Sequence, residues 1–217
     1  MRSRTLASMT AVLALLLAGC GGQSPGAEGP VADVSIHDDD GLNGIVLPTP
    51  YRVPSVPLED ADGATYDLAT DATKPLTLVF FGYTHCPDIC QVVMANIASS
   101  LTRLDDAQRA KVQMVFVTTD PARDDVATLR SYLDRFDPSF DGLTGDLAKI
   151  VELGTAFDVE IAKGKKLASG GYDVAHGTQI IGLLPDHRAP FVWTQGTDPS
   201  TLADDITTIL DDKVPGL

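Results

Sequence analysis

Two runs along the chain are apolar without interruption: "KPLTLVFFGY" (residues 74–83), between Pro75 and Gly82, and "VQMVFVTTD" (112–120). Continuous β-branched and aromatic runs of this length predict strands covered on both faces. Between them "ICQVVMANIASSLTRL" carries apolar residues at helical spacing, so strand, helix and strand predict a parallel pair joined by a right-handed crossover. Further on, "RDDVATLRSYLDRF" (123–136) and "DLAKIVELGTAF" (146–157) alternate as amphipathic helices, with Asp124, Asp125 and Asp146 placed in first turns. "TQIIGLLP" and "FVWTQG" flank "DHRA" as an antiparallel hairpin, "PLEDADGATYDL" (57–68) predicts a second hairpin around Asp62-Gly63, and "DPSTLADDITTIL" predicts a closing helix with Pro199 near its first position.

These elements sum to an α/β fold, a thioredoxin-like sandwich with a central mixed β-sheet flanked by helices. Before them the pattern changes character. Arg2 and Arg4 precede "TLASMTAVLALLLAGC", an apolar stretch too short to span a bilayer as a permanent helix, which reads as a secretory signal. It ends in Leu17, Ala18, Gly19 and Cys20, like the lipobox at which a bacterial leader is cleaved and the new N-terminal cysteine acylated. The expected organisation is therefore a signal peptide over 1–19, an acylated Cys20 with a flexible linker over 20–42, and one domain over 43–217. The expected location is the extracytoplasmic face of the cell membrane, held there by the lipid.

Charge narrows the function classes. The chain has 16 Lys+Arg against 30 Asp+Glu, a formal net charge of −14, and loss of the leader removes only basic residues. A surface of that sign repels phosphate, which argues against nucleic acid, and it attracts cations. Of the three cysteines, Cys20 is assigned to the lipid, which leaves Cys86 and Cys90 as the only thiols and excludes a disulfide-dense scaffold.

Cys86 and Cys90 lie in "FFGYTHCPDIC" (80–90), at the mouth of the first apolar run. With Pro87 preorganised for a first helical position, Cys86 is expected at the N-cap and Cys90 one turn on, a rise of roughly 6 Å that puts both sulfurs on one face. Three uses stay open at this point: a structural disulfide, a redox couple, and two soft ligands for a metal. A bridge closing so few residues stabilises weakly. Backbone N–H groups at a helix start favour thiolate, with Asp88 opposing them. A metal would need a third ligand. Among the histidines, His37 lies in the acidic stretch "HDDDG", His85 ends a strand and should point away from Cys86, and His187 sits in a hairpin turn. His176, in the loop entering the antiparallel half, is the candidate ligand. Zinc would accept two sulfurs and a nitrogen, but hydrolytic zinc chemistry needs a general base that the sequence does not place.

From about Gly44 to Leu210 the chain resembles the Sco/SenC family of copper-binding, thioredoxin-like proteins, through "FFGYTHCPDIC", "VTTDPARD" (117–124) and "AHGTQIIGLLPD" (175–186) in the family's order and approximate spacing. The resemblance implies copper, as Cu(I) or Cu(II), held by Cys86, Cys90 and His176, with Asp120 at an acidic position that orients the site or caps the following turn. It implies delivery to the copper centre of cytochrome c oxidase, with the receiving subunit and a copper donor as partners. The other activity compatible with the same thiols is that of a thiol:disulfide oxidoreductase acting on the receiving subunit's cysteines. Many family members carry an acidic residue immediately before the histidine; Ala175 stands there in this chain, so support from that position is absent.

Overall fold

A computed structural model describes residues 41–166, 172–175 and 177–214. The sequence-predicted leader, Cys20 and His37 lie outside these residues, as does His176. In chain order the elements are β1 (Ile45–Arg52), β2 (Pro57–Asp60), β3 (Thr65–Asp67), α1 (Leu68–Asp71), β4 (Leu76–Gly82), α2 (Ile89–Leu101), α3 (Asp106–Arg109) and β5 (Val112–Thr118). They continue with α4 (Val126–Leu133), β6 (Asp141–Thr144), α5 (Leu147–Thr155), β7 (Ala162–Lys166), β8 (Tyr172–Ala175), β9 (Ile180–Leu183), β10 (Arg188–Trp193) and α6 (Pro199–Leu210).

The two uninterrupted apolar runs form β4 and β5, paired in parallel from Leu76 opposite Val112 to Gly82 opposite Thr118. Every residue of β4 is buried, which is why it reads as a continuous run instead of an alternation. The eight-stranded sheet has the order β1-β10-β9-β4-β5-β6-β2-β3, with β4, β5 and β6 parallel and the remaining pairs antiparallel. The expected mixed sheet is present.

Alternation along β4 divides the core in two. Leu76, Leu78 and Phe80 face a layer built from Val93, Met94 and Ile97 of α2, Leu129 and Leu133 of α4, and Leu202 and Ile206 of α6. Val79 and Phe81 face the other way, onto Leu68 of α1 and Ile150 and Leu153 of α5. Helices therefore cover both faces, as the sandwich requires.

Local signals explain most element ends. Gly63 adopts φ +84° at the tip of the β2–β3 hairpin, where a Cβ would be strained. His187 turns the β9–β10 hairpin with φ 65° and is exposed, consistent with its expected place in a solvated turn. Asp198 caps α6, its carboxylate accepting from Ser200 N at 3.0 Å and Thr201 N at 3.1 Å, with Pro199 behind it. Hydrogen bonds from the Ser200 and Thr201 hydroxyls, followed by those of the backbone, hold the Asp198 carboxyl well below the ordinary carboxylate range. A lowered folded-state value means that the cap's contribution is complete above the unfolded pKa, about 3.9, and disappears as pH falls through the lower folded value. Asp198→Asn is accordingly expected to keep a competent cap at neutral pH and to flatten the acid limb of a plot of melting temperature against pH; an unchanged acid limb would contradict this assignment.

α6 also anchors the sheet edge. The buried Asp205 carboxylate accepts from Trp193 Nε1 at 2.8 Å, Gly44 N at 2.8 Å and Asn43 N at 2.9 Å, tying β10 and the approach to β1 against the helix.

Candidate metal and redox site

Gly82 ends β4 and opens the loop to α2. A Cβ at this position would stand 2.9 Å from Phe116 Cε2, 3.0 Å from Phe80 Cε1 and 3.2 Å from Cys90 Sγ, so only a residue without one lets the strand pass beneath the cysteine. Gly82→Ala is expected to lower stability by about 1–3 kcal/mol through overpacking, read as a drop in melting temperature. Melting at the wild-type temperature would show that the rings and sulfur yield without cost.

The cysteines sit differently from the expected helical pair. The chain turns over residues 83–86, with Cys86 N donating to Tyr83 O at 3.2 Å, and α2 begins only at Ile89, with Asp88 at the N-cap. Cys86 is therefore a loop residue two positions ahead of the cap, and Pro87 is not at the first helical position. Asp88, with φ −131° and ψ −91°, is still outside the helical region, so the helix starts only after it. Cys90 is the second residue of α2, as a helical residue facing the core should be.

The sulfurs converge nonetheless. Both residues are thiols, Cys86 is 7 % exposed, Cys90 is fully buried, and their side chains are hydrogen-bonded to one another. That hydrogen bond first, and burial second, push the Cys90 thiol above its ordinary value, against an opposing hydrogen bond with the Tyr83 backbone. The helix start expected to favour thiolate is outweighed. Cys90 is too deep, and its neighbour too close, for it to carry charge alone.

A buried carboxylate holds the loop in place. Asp124, placed by the sequence pattern in the first turn of α4, lies before that helix and is fully buried; Asp125 is the cap, accepting from Thr128 N at 2.8 Å. Asp124 accepts from Thr84 N at 2.9 Å, Thr84 Oγ1 at 2.6 Å and Thr118 Oγ1 at 2.7 Å, and stands 3.5 Å from His85 Nδ1. It thus joins the end of β5 to the two residues preceding Cys86. His85 is half exposed and bonds Thr84 Oγ1 at 2.9 Å, in keeping with a supporting role outside the thiol pair.

Asp120 is buried and paired with Arg123, whose guanidinium lies 5.7 Å from the centroid of Tyr83. Its carbonyl accepts from Arg123 N and Asp124 N, both at 3.0 Å. Asp120 thus closes the turn before α4 and approaches the cysteine loop through Arg123 and Tyr83.

The chain entering β9 reaches the same end of the sheet. Ile180 lies opposite Phe80 in an antiparallel ladder, so Gly177–Gln179 arrive where the cysteine loop departs from β4. β8 ends at Ala175, and His176 itself lies outside the described residues. Among the described residues no group of three or more His, Cys, Asp or Glu side chains is arranged to hold a metal ion; the thiol pair supplies two soft donors.

A family model for SCO1/SenC matches residues 56–211. The chain belongs to the SCO1/SenC family. Similar proteins include the mitochondrial SCO2 homolog of Danio rerio, 39 % identical over 110 residues that span 50 % of this chain. That match covers only 39 % of the Danio rerio protein's length. A putative copper-binding protein of Stutzerimonas stutzeri is 29 % identical over 147 residues, which span 68 % of this chain and 71 % of the relative. In three dimensions the chain resembles copper-bound ScoI of Bradyrhizobium japonicum, with TM-score 0.65 and 31 % identity over 73 % of this chain and 99 % of that one.

Proposed function

We propose that this protein is a lipid-anchored, extracytoplasmic copper carrier that takes copper as its cargo on Cys86, Cys90 and His176 and passes it to the copper centre of cytochrome c oxidase. One observation carries the reading: two buried thiols are hydrogen-bonded to one another, Cys86 on a loop braced by Asp124 and Cys90 in the first turn of α2, in a chain of the SCO1/SenC family. Thiolates are the preferred donors for Cu(I), and an imidazole serves both Cu(I) and Cu(II). Copper-bound relatives of this fold, including the Bradyrhizobium japonicum protein, support copper over zinc. A three-donor site leaves one side of the metal open to an incoming ligand, which suits a cargo that must be handed on. Membrane attachment rests on the lipobox-like segment ending at Cys20.

The test is metal content and affinity in the reduced, anaerobically purified protein. One copper per wild-type chain is expected, with none retained by Cys86→Ser and affinity lowered at least about tenfold by His176→Ala. Unchanged affinity in His176→Ala would remove that ligand from the site.

The contact between the two sulfurs also favours a second reading. Cys86 and Cys90 can form a disulfide with little motion, giving two electrons and two protons to a target disulfide that becomes two thiols. His176→Ala separates the two activities, because dithiol exchange requires no imidazole ligand.

A further inference from the structure

The parallel strands β4, β5 and β6 send their carboxyl ends to one edge of the sheet, so the cysteine loop after β4, the turn before α4 and the Gly145 and Asp146 link before α5 lie side by side there. Three surface grooves follow that edge. The first, of about 530 Å³, has Thr84 and His85, the two residues before Cys86, in its wall, and shares Asp125 and Ala127 with the second, of about 480 Å³. The second shares Glu59 and Gly145 with the third, of about 570 Å³, which runs onto β2 and the start of β3. Shared walls make them one trough, from the cysteine loop to the β2–β3 hairpin.

Charge changes sign along it. Arg135 lines the first groove, stacked 4.7 Å from the centroid of the Tyr132 ring. Glu59, Asp125 and Asp146 line the rest; all three are exposed, and none is in an ion pair with a cation among the described residues. Lys149, in the third groove, donates to Pro57 O at 3.1 Å. Beside Asp146, Leu147 is 48 % exposed, and among the described residues the one other large apolar side chain so exposed is Val92, two positions after Cys90. Both stand near helix starts on the same edge, where burial by a partner would be favourable.

We propose that this trough docks an extended segment of the partner protein that comes to Cys86, with Lys or Arg four to six residues from the group that reacts at sulfur and an apolar residue beyond them against Leu147. The inference rests on the premise of the proposed function that a partner protein reaches the cysteine pair, by copper transfer or by dithiol exchange. In the sheet β2 and β3 stand three and four places from β4, about 14 and 19 Å away at about 4.8 Å per strand, which an extended chain crosses in about four to six residues at about 3.3 Å each. Lys or Arg at that distance meets Glu59 and Asp146, and the net charge of −14 draws a basic segment in. Arg135 disfavours positive charge at the cysteine end and so sets the direction of the segment.

The probe is a peptide whose cysteine is held in a mixed disulfide with thionitrobenzoate. The Cys86 thiolate attacks the peptide sulfur and expels coloured thionitrobenzoate; the Cys90 thiol then closes the disulfide to Cys86 and releases the peptide as a thiol. The protein gives up two electrons and two protons: the mixed disulfide takes the electrons, one proton ends on the peptide thiol and the other in solvent. Two peptides of one composition are compared, both with leucine at the seventh position after cysteine, one with lysines at the fourth and sixth positions and the other with lysines at the first and third. Each rate is divided by that peptide's rate with N-acetylcysteine. At low salt the far-lysine peptide should react about five- to tenfold faster with the wild-type protein. Glu59→Gln/Asp146→Asn, two exposed changes, should bring the ratio within about twofold of unity, and Leu147→Ser should lower it about two- to threefold. Asp204→Asn/Asp212→Asn, which removes the same charge from exposed positions in and just past α6, should leave the ratio unchanged. Equal rates for the two peptides, or a ratio that survives Glu59→Gln/Asp146→Asn, would overturn the docking trough. So would an equal loss in Asp204→Asn/Asp212→Asn, since the field of the whole chain would then account for it. Copper takes no part in these rates, so a failure of the trough is told apart from a failure of the copper-carrier reading.

Discussion

Cys90→Ser is expected to abolish tight copper binding while leaving the domain folded. Cys90 is the fully buried second residue of α2, its sulfur over Gly82, and serine is the smaller residue, so the exchange creates no clash. Its cost is a buried hydroxyl in place of sulfur, about 1–3 kcal/mol, within the stability of an ordinary domain. The chemical cost is larger. A serine oxygen is a hard donor that keeps its proton at neutral pH, whereas Cu(I) selects soft, charged sulfur. Copper affinity should fall by more than about a hundredfold, beyond the range seen when only a supporting residue of a metal site is lost. The raised pKa of Cys90 does not weaken this expectation, since its first cause is the Cys86 thiol, which a shared metal would replace as a partner. Chelator competition with Cu(I), alongside a circular-dichroism melt, separates binding from folding. Affinity within threefold of wild type, in a protein that still melts cooperatively, would show that Cys90 is not a ligand.

The parts of this site that the sequence revealed are those whose residue types are rare or whose pattern is uninterrupted. β4 and β5 are legible because each face of each strand is covered and the runs contain almost nothing polar. Asp198-Pro199 marks the start of α6 because both residues have a use at a helix start and little elsewhere. β1 escapes the pattern: Pro48 and Pro50 break it, and the ladder to β10 shifts register between Val46 and Tyr51, as an edge strand tolerates. β6 has four residues, too few for a period. Asp124 was hidden for a different reason. Asp124 and Asp125 are identical neighbours in front of a helix, and a shift of one residue decides which of them caps the helix and which is buried against Thr84 and Thr118. The same uncertainty in a boundary moved Cys86 from the N-cap to the loop.

Asp124→Ala is expected to be the most damaging substitution outside the cysteine pair. The carboxylate accepts three hydrogen bonds, from the Thr84 backbone, the Thr84 hydroxyl and the Thr118 hydroxyl, and its own residue contributes a carbonyl that accepts from Thr144 Oγ1 at 2.9 Å. Alanine leaves the backbone bond intact and strands three donors, of which the Thr118 hydroxyl is closed to solvent and the two of Thr84 are partly buried. At about 1–3 kcal/mol for each donor that finds no new partner, and with Thr84 close enough to the surface to recover some of the loss, the penalty is about 3–5 kcal/mol. For a domain of this size that is a fall in melting temperature of about 6–20 °C. Loss of stability alone would not distinguish a brace from any other buried group. Release of Thr84 frees the segment leading to Cys86, which is 7 % exposed in the intact protein, so alkylation of the metal-free dithiol should accelerate at temperatures well below the melt. Asp124→Asn, which keeps one acceptor and substitutes a donor, should fall between alanine and wild type on both measures. Coupling to the loop is read from a double-mutant cycle with Thr84→Val, where the two losses should be strongly non-additive because they remove the same bond. Additive losses, or wild-type alkylation in a destabilised Asp124→Ala protein, would show that Asp124 supports β5 and α4 without fixing the cysteine loop.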